Sequence, residues 1–185
     1  LLKKSSDIHS AGFVLPSGNW EEFDPFLFLA EDKLQKNAFE LHPHRGLETV
    51  TYIIDGALEH SDNKGGSGTL KPGDAQWMTA GSGIMHLEAP PENGSVHTLQ
   101  LWVNLPKANK MAAPRYQDIL SSNVPVRKEE GVTYRVFSGN SGDVVSTTKN
   151  YTPVTVVEMI IDAGYIAKQH LPSAYNGFMY VLEGS

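Results

Sequence analysis

Thr49-Val50-Thr51-Tyr52-Ile53-Ile54-Asp55-Gly56 decides the fold. Six β-branched or aromatic residues in succession favour an extended, pleated backbone, and Asp-Gly is a strong turn signal. Ala57-Leu58-Glu59-His60 is expected to return as a second strand. It would reach the glycine-rich loop Asp62-Asn63-Lys64-Gly65-Gly66-Ser67-Gly68. Thr69-Leu70 then leads into the turn Lys71-Pro72-Gly73-Asp74. Gln76-Trp77-Met78 reads as a further short strand, and His97-Thr98-Leu99-Gln100-Leu101-Trp102-Val103 as a longer one. Closely spaced strands with Gly and Pro turns between them predict an all-β antiparallel sandwich or barrel.

Working outward, residues 1–41 mix short apolar stretches with turn residues and carry no legible chemistry. Residues 106–127 are richer in Lys, Asn, Ser, Ala and Pro and read as a connector, with a short helix near residues 116–120. Strand character resumes at Val132. Sliding the chain by 128 positions lays Tyr52-Ile53-Ile54-Asp55-Gly56 on Tyr180-Val181-Leu182-Glu183-Gly184, and His42 on His170. His44 falls on Pro172, so the second copy lacks a His pair. It stops after its first turn, where a barrel would be left with open strand edges. The expectation is therefore a piece of a longer protein with an incomplete second barrel.

Composition narrows the function. Of 185 residues, 40% are hydrophobic and 19% charged, which suits a globular chain. No apolar run approaches the ~20 residues that span a bilayer, and no secretory leader is apparent. A nuclear or cytoplasmic location without a membrane partner is expected. The absence of cysteine excludes disulfides, thiolate metal sites and thiol nucleophiles. A formal net charge of −6 argues against tracking a phosphate backbone, so no direct nucleic-acid partner is expected.

The chemistry lies in two short pairs. His42-Pro43-His44 and His86-Leu87-Glu88 each place donors at i and i+2. On a strand, alternate side chains share a face, so each pair points one way. Two such pairs on neighbouring strands can converge on one ion. Nitrogen and oxygen donors without thiolate suit iron, manganese, nickel, copper or zinc. Gly81-Ser82-Gly83, just before His86, is either a tight turn or a loop able to move aside. His9 and His60 have no partner pattern and read as surface or turn residues. His97 reads as structural, and Trp77 and Trp102 as core residues with bonded N–H groups.

These residues also carry a resemblance. The run from His42 through Arg45-Gly46-Leu47-Glu48 to Tyr52 resembles the signature of the pirin family, a branch of the cupins. So does the run from Gly73-Asp74 through Trp77-Met78-Thr79 to His86-Leu87-Glu88. Leu99-Gln100-Leu101-Trp102-Val103-Asn104-Leu105 and Pro114-Arg115-Tyr116-Gln117 are similar to further segments of that family. The resemblance implies a double-stranded β-helix, or jelly-roll, barrel and a bicupin organisation. Residues 1–118 would form the metal-binding cupin domain, 119–131 a connector, and 132–185 the truncated start of a second domain without a metal.

By position it implies Fe(II) held by His42, His44, His86 and Glu88, other divalent transition metals being compatible. Glu48 stands one place earlier than the usual cupin acid, so alternation turns it away from the metal. The implied activity is that of a dioxygenase on a small planar aromatic substrate, a flavonol such as quercetin, with Glu88 both ligand and catalytic base. The resemblance also implies a rival role: a nuclear, iron-dependent transcriptional co-regulator that binds a transcription factor. A monomer is expected in either case.

Overall fold

The computed structural model describes residues 2–184. The chain begins with β1 (Leu2–Ser5) and β2 (His9–Leu15), a single helical turn α1 (Trp20–Phe23), β3 (Phe26–Gln35) and β4 (His42–His44). There follow β5 (Leu47–Gly56), β6 (Leu58–Asp62), β7 (Ser67–Leu70), β8 (Ala75–Thr79), β9 (Ile84–Ala89) and β10 (Ser95–Asn104). The later elements are β11 (Arg115–Ile119), β12 (Val126–Glu129), β13 (Val132–Ser138), β14 (Asn140–Ser141), β15 (Val144–Val145) and β16 (Val156–Ile161).

Two antiparallel sheets make the jelly-roll barrel. One has the order β1-β2-β3-β10-β5-β8-β11, the other β4-β9-β6-β7. They are joined by an apolar layer in which Leu34, Ile53 and Val96 of the first meet Leu58 and Leu70 of the second. Burying each large aliphatic side chain there stabilises the fold by roughly 1.5–3 kcal/mol. The outer face of the larger sheet is covered as well. Val50, Trp77, Leu101 and Val103 pack there with Val154. Strands buried on both faces lose the apolar–polar alternation, which explains why all five residues of β8 are buried.

Asp55-Gly56 does not close a hairpin. The strand after it forms where expected, but β6 pairs with β7 and β9 in the opposite sheet, while β5 pairs with β8 and β10. Gly56 has φ +80° at this corner, and a Cβ there would lie 2.1 Å from the Ser95 carbonyl oxygen. Only glycine lets the chain pass so close while crossing between sheets.

The helix expected near residues 116–120 is instead β11, antiparallel to β8. Its residues can satisfy the free edge of β8 over a full register, and that pairing outweighs weak local propensity. Further on, β12, β13 and β16 form a three-stranded sheet. It is tied to the barrel by Arg135 donating to the Gly73 carbonyl (2.7 Å) and by the Tyr52 hydroxyl donating to Glu158 (2.7 Å), while Arg135 also donates to Glu158 within the sheet (2.5 Å). Tyr180-Val181-Leu182-Glu183 does not repeat the strand of its counterpart, since no ladder partner lies beside it among the described residues. Instead Phe178 meets Phe26 edge-on at 5.1 Å and the Tyr180 hydroxyl donates to Glu31. No helix among the described residues is long and apolar enough to cross a membrane.

Candidate metal centre

The short strand β4 lies antiparallel to β9, with His42 opposite His86 and His44 opposite Ile84. The i, i+2 spacing brings His42 and His44 to one face, and the cross-strand register adds His86. Ring centroids are 5.1 Å apart for His42–His44, 4.5 Å for His42–His86 and 5.0 Å for His44–His86. One nitrogen from each lies within 4.8 Å of the others.

His44 and His86 are buried, at 7% and 0% exposure. His44 Nε2 and both ring nitrogens of His86 lack any hydrogen-bond partner. Leaving such atoms unpaired costs about 1–3 kcal/mol each. Burial, reinforced by neighbouring histidines, lowers the pKa of His44 to about 3 and of His86 to about 4. Both rings are thus neutral at pH 7, the form that ligates. His42 Nδ1 donates to the Glu40 carbonyl at 2.8 Å, which orients the ring. Clustered neutral imidazoles with orphaned nitrogens fit a divalent transition ion.

Glu88 adjoins this group, with its Oε2 3.9 Å from His86 Nε2. It is 3% exposed, and burial raises its carboxyl pKa. Thr51 Oγ1 donates to Oε1 at 3.2 Å and Gln100 Nε2 to Oε2 at 2.9 Å. Glu48 points to the other face of β5, fully buried, and accepts a 2.7 Å bond from Thr79 Oγ1. Gly81-Ser82-Gly83 is a tied turn. Ser82 N–H donates to the Ala112 carbonyl and Gly83 N–H to that of Ala80, each at 2.9 Å, and a Cβ on Gly81 would lie 2.0 Å from Ala112 O.

The other histidines and the tryptophans meet the sequence reading only in part. His60 is neither surface nor turn: it is 5% exposed, across the ladder from Glu88, stacked on Tyr116 at 5.2 Å and 3.8 Å from Asp118. Neither ring nitrogen has a hydrogen-bond partner. The alternation Leu58-x-His60-x-Asp62 was the available signal. His9 pairs with Asp32 at 2.7 Å and His97 with Glu31 at 2.6 Å. Trp77 is fully buried with its N–H unbonded, whereas Trp102 is half-buried, bonds Gln100 and lies edge-on to His44 at 5.2 Å. Arg45 is exposed and its guanidinium reaches Met111 Sδ at 3.4 Å.

Residues 11–103 match the model of a protein family described as Pirin. A pirin-like protein of Solanum lycopersicum is 41% identical over 89% of this chain, which spans 57% of that relative's length. Among solved structures, GK1651 from Geobacillus kaustophilus is 58% identical with a TM-score of 0.96, over 99% of this chain and 74% of its own. Quercetin 2,3-dioxygenase from Acinetobacter baumannii is 34% identical with a TM-score of 0.68, over 80% and 56%. The bacterial pirin YhhW of Escherichia coli, in complex with nickel(II), is 25% identical with a TM-score of 0.56, over 63% and 52%.

Proposed function

The chain belongs to the pirin family, and from that premise we propose that it is a metal-dependent dioxygenase acting on flavonols such as quercetin. The observation that carries this reading is the meeting of His42, His44 and His86, two of them buried with orphaned ring nitrogens, beside a buried carboxylate. The likeness to a quercetin 2,3-dioxygenase at 34% identity supports the reaction class.

His42, His44, His86 and Glu88 would hold the ion, Fe(II) in this reading. Nickel(II) in a solved relative supports a site that accepts other divalent metals. A bound ion would supply Lewis acidity that lowers a hydroxyl pKa and a redox partner for dioxygen.

The protein's own groups do the rest. Glu88 is the base for the flavonol 3-hydroxyl, because its buried carboxylate has a raised proton affinity. Thr51 and Gln100 keep both its oxygens oriented. Trp102 and Met78 flank Thr49 on neighbouring strands, where they would limit water around an anionic substrate. Both oxygen atoms of one O₂ enter the opened ring, and carbon monoxide leaves. The reading takes residues 132–185 as the start of a second cupin barrel, and the formal net charge of −6 supports a partner other than nucleic acid.

The test is anaerobic loading with Fe(II), then addition of quercetin and air. Oxygen uptake and carbon monoxide release in step with quercetin loss are expected, with a fall of orders of magnitude in Glu88→Ala. A metal-loaded protein with no turnover above free iron overturns the reading. If its Fe(II) and Fe(III) forms then bind a transcription factor differently, the co-regulator role replaces it.

A further inference from the structure

Gln100 and Trp102 alternate along β10 and face the same interior as the metal cluster, opposite Thr51 and Thr49 of β5. Trp102 lies edge-on to the His44 ring, with centroids 5.2 Å apart and planes at 82°. Its indole Nε1–H donates to Gln100 Oε1 at 3.0 Å. Gln100 Nε2 in turn donates to Glu88 Oε2 at 2.9 Å. One aromatic side chain therefore touches a histidine of the cluster directly and the carboxylate through a single amide.

The direction of this chain is fixed by hydrogen-bond chemistry. An indole N–H can only donate and an ionised carboxylate can only accept. The amide between them has one end of each kind, so only one orientation satisfies both neighbours. Turned over, it would set N–H against N–H and oxygen against carboxylate. Trp102 thus selects the amide orientation, and the amide selects where the Glu88 oxygen points.

We propose that Trp102 and Gln100 form a positioning pair that aims the Glu88 carboxylate at the metal and so sets its coordination and its rate of loss. The proposal rests on the metal site described above. Retention of the ion is then governed by two residues that contribute no ligand atom.

The experiment uses the full chain loaded with Co(II), whose visible spectrum reports coordination number and donor type. Dissociation into excess chelator is timed in parallel, and no substrate is present. Gln100→Leu is expected to shift the visible band and speed Co(II) loss about tenfold, a typical effect of removing an outer-shell partner. Trp102→Phe keeps a ring near His44 but removes the N–H, and should shift the band in the same direction. Combining it with Gln100→Leu should add nothing, since both cut one chain.

Gln100→Glu separates positioning from packing. It conserves shape yet opposes an acceptor to Glu88, so it should match or exceed the defect of Gln100→Leu. If Gln100→Glu keeps the wild-type spectrum and dissociation rate, or if the two single effects simply add, the proposal is overturned. A wild-type chain that binds no Co(II) overturns the metal site as well. Normal Co(II) behaviour without quercetin turnover counts only against the dioxygenase reading.

Discussion

His86 sits directly opposite His42 across the β4–β9 ladder, and their rings approach to 4.5 Å. Two residues 44 positions apart (86 − 42) are thereby held more closely than the neighbours His42 and His44, at 5.1 Å. The cross-strand register, as much as the His-x-His spacing, builds the cluster. A slip of one residue would turn His86 out of the interior.

Replacing His42 or His86 by Ala should therefore remove metal while leaving the barrel folded, because the apolar layer around Ile53 and Leu58 does not involve the imidazoles. Metal content by elemental analysis after Fe(II) loading is expected to fall to about a tenth or less, with the β-type circular dichroism retained. If metal content stays near one equivalent in both variants, the assignment is wrong.

Glu48 should behave in the opposite way. It is fully buried on the far face of β5 and bonded to Thr79. Glu48→Ala leaves the Thr79 hydroxyl unpartnered and a gap, at a cost of about 1–3 kcal/mol. Urea unfolding should show that loss while Fe(II) binding remains at the wild-type level.

Gly68 lies across the β6–β7 ladder from His60. A Cβ at Gly68 would come within 2.4 Å of His60 Nε2. Gly68→Ala should destabilise the fold by about 1–3 kcal/mol through overpacking. Combining it with His60→Ala should recover part of that loss, because the clashing atom is gone. Additive losses in a double-mutant cycle would show that the two side chains do not share this space.

A pH effect follows from Glu31. Its hydrogen bond from Tyr180, aided by His97, lowers its carboxyl pKa from the ordinary 4.5. A carboxyl with a depressed folded-state pKa adds stability above its unfolded pKa, and that stability is lost as pH falls through the folded value. Tyr180→Phe should thus lower the urea midpoint at pH 7 and have less effect in acid, where Glu31 is protonated in both the folded and unfolded states. The change should be small because Glu31 is partly exposed. Equal shifts at both pH values would rule the charge effect out.

The strand cores and the grouping of His42, His44 and His86 were legible because they rest on short-range rules: β-branched runs and the alternation of side chains. What escaped depended on contacts between distant segments. Asp55-Gly56 announces a turn, but which sheet the next strand joins is decided by β7 and β9. His60 looks isolated in sequence and gains its surroundings only when Tyr116 and Asp118 arrive on β11. Tyr180 matches Tyr52 by position, yet a strand needs a ladder partner, and the same local pattern without one stays irregular. Trp102 read correctly as packed, but its place against His44 depends on the closure of two sheets.

The strand β4 is three residues long and forms the edge of its sheet, held by one ladder to β9. Two of the three imidazoles ride on it. Short edge segments open by local fluctuation at far less cost than the whole domain unfolds. An ion bound to the closed form would suppress that peeling by mass action, and exchange of β4 backbone amides with deuterium would slow accordingly. The ion can then leave by the detachment of three residues, with the rest of the barrel standing.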